Sequence, residues 1–341
     1  MRIFVTGHKG YIGVHLVDLL KQAGHTVIGC DLDLFAGCEW TPYVQADRDL
    51  KKDIRLLEVE DLSGCDCVMH LAAISNDPMG ELNPNVTTSV NLEGSVHLAH
   101  LAKEAGVPRF LFSSSCSIYG KGEKLDLDES AALNPQSAYA MSKIEAEKEI
   151  ALLADEGFCP VFLRNATAYG FSPMYRLDLV VNNLLSCAYA RGDIRIMSDG
   201  SPWRPLIHAR DIARAFAAFL DAPRERVFNK AINIGANQEN YQVKDIAAKV
   251  QHLMPHANIV FTGEVGADPR NYRVNFDLLS QLLPDFKLEY TLDKGMEELF
   301  HKLKQLEFTE TDFDGDQFVR LRTLKKRLDH IELAYAEIKK K

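Results

Sequence analysis

The first 31 residues constrain this chain more than any other stretch. Arg2-Ile3-Phe4-Val5 is a short β-rich run that leads directly into Thr6-Gly7-His8-Lys9-Gly10-Tyr11-Ile12-Gly13. Apolar residues at Val14, Val17, Leu19 and Leu20 then recur at helical spacing until Gly24, and Thr26-Val27-Ile28-Gly29-Cys30 forms a second strand-like run ending at Asp31. This is a β-α-β unit of about 30 residues with glycines in the pattern G-x-x-G-x-x-G. Each glycine has a physical task. Gly7 permits the tight turn, Gly10 lets the backbone approach a pyrophosphate, and Gly13 lets helix and strand pack closely. The helix N-terminus favours negative charge there. Asp31, 18 residues after Gly13, is placed to accept hydrogen bonds from ribose hydroxyls. Its carboxylate would repel a 2′-phosphate, which selects NAD over NADP. A P-loop is excluded because no Gly-Lys-Ser/Thr follows.

The alternation continues. Cys67-Val68-Met69-His70-Leu71-Ala72-Ala73 reads as the next strand, and the small residues at its end would let a cofactor lie against the backbone. A helix is expected from about 87 to 105, stopped by Gly106 and Pro108. Strand 109–112, a polar loop 121–136, a helix from Tyr139 to about 156 and strand 160–164 follow. This rhythm predicts an α/β fold with a doubly wound parallel sheet. After Asn165 it breaks. A loop at 165–178, a helix near 179–189, a strand at 193–197, the run 203–208, a helix near 211–221 and a buried strand at 229–235 suggest a smaller discontinuous α/β lobe capping the strand ends. The expected division is 1–165 for the dinucleotide-binding domain, with segments near 205–235 returning to it, 166–305 for the lobe and 306–341 for a helical extension. In that extension Leu321, Leu324, Leu328, Ile331 and Ile338 recur at helical spacing.

The chemistry falls between Ser113 and Lys143. Ser113-Ser114-Ser115-Cys116-Ser117 stands at a strand's carboxyl end, and Tyr139 and Lys143 lie at i and i+4 on one helix face. A phenol beside an ammonium, facing a strand-end hydroxyl, is a proton-transfer device. An unperturbed phenol near pKa 10 is a poor base at neutral pH, so neighbouring positive charge is required.

Bulk properties bound the partners. At 341 residues and net charge −9, the chain is not expected to bind nucleic acid or a membrane surface. No apolar run approaches the roughly 20 residues of a bilayer span, and no leader is visible at the N-terminus. Seven cysteines without a framework point to free thiols and a cytoplasmic setting. No metal is expected: Cys65/Cys67 and His97/His100 lack further ligands at zinc spacing, and Asp312, Asp314 and Asp316 lack the glycine and glutamate positions of a calcium loop.

Together these motifs resemble the extended short-chain dehydrogenases/reductases, in particular the NAD-dependent nucleotide-sugar epimerase/dehydratase group of which UDP-galactose 4-epimerase is typical. The resemblance rests on Thr6–Gly13, Asp31, Asp53-Ile54-Arg55, His70–Ala73, Asn91, Ser113–Gly120, Tyr139-x-x-x-Lys143 and Arg204–His208, in family order over residues 1 to about 300. It implies that Gly7, Gly10, Tyr11, Ile12, Gly13, Asp31, Asp53, Ile54, Leu71, Ala72, Ala73, Asn91, Ser113, Tyr139 and Lys143 bind NAD, with Asp53 and Ile54 at the adenine. Lys143 would bind the nicotinamide ribose and lower the pKa of Tyr139, the base, while Ser115 hydrogen-bonds the reacting oxygen. Ser75, Ser115, Cys116, Ser117, Asn165, Thr167, Asn183, Arg204 and Arg270 would face a nucleotide-diphosphate sugar, the register at Asn182/Asn183 being open by one. The family also implies a homodimer through the helices at 87–105 and 137–156.

The dehydratases of this group carry an Asp-Glu pair where this chain has Cys116-Ser117, and its decarboxylases use a glutamate there. Both readings are therefore disfavoured. A 4-epimerase acting through a 4-keto sugar is the simplest remaining chemistry. A one-way C4 dehydrogenase or ketoreductase fits the same residues, and a 3,5-epimerase using the Cys116 thiol is a further alternative. Thr167 replaces the asparagine common in 4-epimerases, which points to a sugar rarer than galactose.

Overall fold

The computed structural model describes residues 1–75, 77–121, 126–263 and 270–327. Its first half follows the expected alternation: β1 (Arg2–Thr6), α1 (Gly13–Gln22), β2 (Thr26–Cys30), β3 (Arg48–Leu50), β4 (Cys67–His70), α2 (Gly94–Glu104), β5 (Arg109–Ser115), α3 (Ala138–Ala151) and β6 (Cys159–Asn165). The second half adds β7 (Thr167–Tyr169), α4 (Val180–Arg191), β8 (Asp193–Ile196), β9 (Trp203–His208), α5 (Ala209–Asp221), β10 (Lys230–Ile234), β11 (Asn240–Gln242), α6 (Val243–Leu253), β12 (Asn258–Phe261) and α7 (Leu292–Gln305). Seven strands form one sheet in the order β10-β6-β5-β4-β1-β2-β3, and every pair in it is parallel. The order reverses at β1, so β1 and β4 splay their following loops apart and open a crevice at their carboxyl ends.

Both sheet faces are covered, which is why the strands read as unbroken apolar runs. Ile3 and Val5 pack with Leu16 and Val17 of α1 and Phe216 and Phe219 of α5 on one face. Phe4 points the other way, into a core shared by Phe110, Phe112, Leu98, Ala146 and Ile150. Thus α5 and β10 return to the main sheet, whereas β9 joins β7 and β11 in a separate three-stranded sheet, and β8 pairs with β12.

A second core joins Leu184, Leu185, Ile246, Val250 and Leu299. It also takes in Phe308 and Phe318 from beyond α7, against Trp40 at 5.5 and 5.2 Å. The segment after 305 is therefore built into the lobe and crosses to the loop after β2. The expected leucine stripe is not its buried face: Phe318, Arg320 and Thr323 are buried, Leu321 and Leu324 only half so. Leu328, Ile331 and Ile338 lie outside the described residues.

The expected helix at 87–105 is a continuous rod from Pro84 to Glu104 whose middle turn, Ser89–Glu93, is a π-turn. Such single-turn widenings collect at functional sites.

Candidate active site

The glycine turn is shaped by steric necessity. Gly7 has φ +69°, and a Cβ there would lie 2.7 Å from the Ala72 nitrogen. At Gly13 a Cβ would meet the Gly7 carbonyl at 2.2 Å. The helix that follows has no side-chain cap and no acidic residue in its first turn, so its positive end is left for an anion. The Tyr11 hydroxyl is turned away to donate to the Gly170 carbonyl at 2.6 Å, tying the turn to the smaller lobe. Asp31 closes β2 and accepts from the Asp33 and Lys9 N–H groups at 2.8 and 3.3 Å. The nearby lysines are neutralised: Lys9 pairs with Asp49 at 2.6 Å and Lys52 with Asp61 at 2.8 Å. That surrounding suits ribose hydroxyls better than a 2′-phosphate. Asp53 borders the same region, its carboxylate held by Arg55 at 2.6 Å and well below the usual carboxylate range by that bond.

These groups line one cleft of about 1070 Å³ running from Asp31 to the smaller lobe. It is bordered by Gly7, Gly10, Tyr11, Ile12, Gly13, Asp31, Asp53, Ile54, Leu71, Ala72, Ala73, Ser75, Ser113, Ser115, Ser117, Tyr139, Lys143, Asn165, Thr167, Asn183, Arg204 and Arg270. Two expected contacts are not among them. Asn91 is fully buried behind the cleft, where it accepts from the Ile74 N–H at 2.8 Å and donates to the Ile74 carbonyl and Ser142 hydroxyl. It fixes the segment after β4 against the Tyr139 helix rather than touching a cofactor. Cys116 is 1% exposed and its thiol donates to the Arg164 carbonyl at 3.1 Å. Burial pushes that thiol up, away from the thiolate that a 3,5-epimerase would need. Of the adjacent asparagines, Asn182 is buried as a strut for Tyr11 and Gly170, leaving Asn183 at the cleft.

Behind Ala72, Ser95 donates to the Asn91 carbonyl at 2.6 Å, so its oxygen accepts from His70 Nε2 at 2.7 Å. His70 Nδ1 then accepts from Thr6, whose oxygen takes the Ala72 N–H. Burial first, and the Lys143 charge second, hold this imidazole neutral, its pKa brought down to about 3.

At the far end of the cleft Ser137 caps α3, which carries Tyr139 and Lys143. Tyr139 and Ser115 border the same end of the cleft, and the Ser115 hydroxyl acts on the phenol. The Lys143 ammonium position is 2% exposed, donates to the Ser113 carbonyl at 2.7 Å and stands over the Phe112 ring at 4.6 Å. Burial brings Lys143 down to about 7, opposed by Glu147. Tyr139 is pushed up to about 12, by burial and then the Asp77 carboxylate, against the Ser115 hydrogen bond and the Arg176 and Arg270 charges. Arg176 and Arg270 thus join the groups that favour the phenolate, and the Lys143 nitrogen stands 5.8 Å from the centre of the Tyr139 ring.

Asp77 and Arg176 were not foreseen. Asp77 pairs with Arg270 at 2.7 Å and accepts from Ser137. Arg176 grips Asp178 through Nε and Nη2 at 2.9 and 2.6 Å and reaches the Ser75 hydroxyl at 3.1 Å. A loop arginine followed two residues later by aspartate carries no signal of its own. Among the described residues no group of three potential metal ligands forms, and His97 donates to the Leu57 carbonyl. Asp314 and Asp316 pair with Arg191 and Lys326, and Asp312 caps a short helix.

A parallel sheet with its ligand turn at the switch point, and a serine, tyrosine and lysine at the next strand ends, defines a nucleotide-dependent oxidoreductase scaffold. Residues 3–235 match the NAD dependent epimerase/dehydratase family. The chain belongs to that family, as an extended short-chain dehydrogenase/reductase, and NAD is its cofactor. An uncharacterised UDP-glucose epimerase of Bacillus subtilis is 26% identical over 83% of this chain and 92% of its own length. A dTDP-D-glucose 4,6-dehydratase of Mus musculus is 27% identical over 75% and 74%. MoeE5 in complex with UDP-glucuronic acid and NAD superposes with a TM-score of 0.78 at 25% identity, covering 89% of this chain and 99% of that one. The glycine cradle, the uncapped α1 and Asp31 fit the dinucleotide.

Proposed function

We propose that this enzyme interconverts the C4 epimers of a nucleotide-diphosphate sugar by transient oxidation to the 4-keto sugar. The observation that carries the reading is the meeting of Ser115, Tyr139 and Lys143 at one end of the cleft, where Ser117 follows Cys116 and the Asp77 carboxylate is paired with Arg270. The names of relatives that act on UDP-sugars support the substrate class.

Gly7, Gly10, Gly13 and Asp31 would hold NAD, which would supply the hydride acceptor for C4 and the donor for reduction from the sugar's opposite face. Tyr139 removes the C4 hydroxyl proton and gives it back on reduction. Ser115, at the same end of the cleft as Tyr139, steers the sugar oxygen toward the phenol. Lys143 binds ribose hydroxyls and adds positive charge as it protonates near neutrality. Asn183, Arg204 and Arg270, which border the same cleft, hold the nucleotide diphosphate, the arginines by planar forks suited to phosphate. A 4,6-elimination would need a free carboxylate by C5. Asp77, the acidic group acting on Tyr139, is instead engaged by Arg270 and Ser137.

Tyr139→Phe should lower turnover of UDP-glucose or UDP-glucuronic acid by about 10³-fold while the purified protein retains its NAD(H) absorbance. Full activity in that variant would remove Tyr139 from the mechanism.

A further inference from the structure

Arg320 lies beyond the family-matched residues, on the segment that follows α7, yet it borders the cleft while being 3% exposed. One of its terminal nitrogens donates to the Met174 carbonyl at 3.0 Å, and its guanidinium stands over the Phe35 ring at 4.4 Å. The other, Nη1, is buried with no hydrogen-bond partner among the described residues. No carboxylate among those residues forms an ion pair with Arg320, and Asp178 is already taken up by Arg176 in a two-pronged bond. Asp178 is thus bonded to Arg176, whose positive charge opposes that of Arg320 beside it. An uncompensated buried charge is costly, and burial together with the Arg176 charge holds the Arg320 guanidinium below the usual arginine value.

Location says what would compensate it. Val14, Cys38 and Met174 form one apolar cluster, so this corner abuts the first turn of α1. The segment is laced to the loop after β2 by Arg327, which donates to the Leu34 and Ala36 carbonyls, and by Gln317, which donates to the Glu39 carbonyl at 3.2 Å. The unpaired guanidinium nitrogen thus belongs to a side chain that borders the same cleft as the glycine turn and α1, with the Arg176 charge acting on it.

We propose that Arg320 is a ligand of a diphosphate bound in this cleft, contributed by the carboxyl-terminal segment outside the family core. The diphosphate can belong to the dinucleotide or to the nucleotide sugar, the second source resting on the function proposed above. Either way the segment acts as a cationic clamp over the glycine turn. The guanidinium fork supplies two parallel donors to phosphate oxygens, and the turn supplies backbone N–H groups from the opposite side.

The test is calorimetric titration of the full-length protein with ADP-ribose and, separately, UDP, for the native chain, Arg320→Met and Arg320→Lys. Arg320→Met should weaken one of the two by at least tenfold, with Arg320→Lys recovering part of the loss because it restores the charge without the fork. Loss confined to ADP-ribose assigns the dinucleotide's diphosphate; loss confined to UDP assigns the substrate's. Unchanged affinity for both in the methionine variant overturns the proposal. So does an equal loss of both that lysine does not relieve, which would make Arg320 only a fastener of the segment. Binding is read without turnover, so a failed epimerase reading would leave the ADP-ribose result standing.

Discussion

Tyr139 and Lys143 were legible because i, i+4 spacing places two side chains on one helix face whatever the tertiary fold. Their protonation was not, because it depends on what buries them. The pair reads as phenol and ammonium, but Lys143 is enclosed by Phe112, the Ser113 carbonyl and the helix itself. Its amine falls to about 7 from an ordinary value near 10.5, with burial the main cause. The unfolded chain therefore holds this proton between those two pH values while the folded chain does not. Unfolding takes up a proton in that window, so raising the pH favours the folded state, by at most about 1.4 kcal/mol per unit for one group. Denaturant unfolding from pH 7 to 10 should show native stability, taken relative to Lys143→Met, rising with pH and levelling below 7. A difference that falls across the window would mean the lysine is held charged. Cys116 shows the opposite limit. Ser115 and Ser117 border the cleft while the residue between them faces Arg164, an alternation set by the tight turn at Cys116–Tyr119 and not readable from composition.

At the scale of elements, the β1-α1-β2 unit was legible to within a residue, since Gly7 and Gly13 answer steric demands that a side chain would not meet. The rod at 84–104 was legible as a helix but not as a widened one. Apolar spacing cannot show that the turn Ser89–Glu93 carries an extra residue and directs Asn91 into the protein. There its amide serves both main-chain groups of Ile74 and the Ser142 hydroxyl on α3. Removing it strands a buried N–H and C=O and loosens the strand-end segment from the Tyr139 helix. Asn91→Ala should cost about 2–3 kcal/mol in urea unfolding and lower kcat more than it raises KM, because Tyr139 and not the diphosphate site loses its support. A variant as stable and as fast as the native enzyme would show the π-turn to be incidental.

Over the whole molecule, the parallel sheet could be read because its strands are buried on both faces and so appear as continuous apolar runs. The smaller lobe could not, apart from its outline. Its strands β7, β8, β11 and β12 are three or four residues long, and their pairing is imposed by packing against α4, α6 and α7. The carboxyl-terminal segment was read from its leucines, whereas Phe318 and Arg320 fasten it to the lobe and to the loop after β2. Its resulting position, along the cleft from the glycine turn to Arg176, makes it part of the site rather than an appendage. For the cleft that sheet, lobe and segment share, we propose reversible oxidation of one carbinol without elimination at its neighbours. That claim is tested most directly by proton NMR of UDP-glucose and UDP-glucuronic acid incubated with the enzyme in D₂O, with absorbance at 340 nm followed alongside. The expected result is a C4 epimer in which every carbon-bound hydrogen is retained and no NADH accumulates. Deuterium at C5, or NADH formed in step with product, would contradict it.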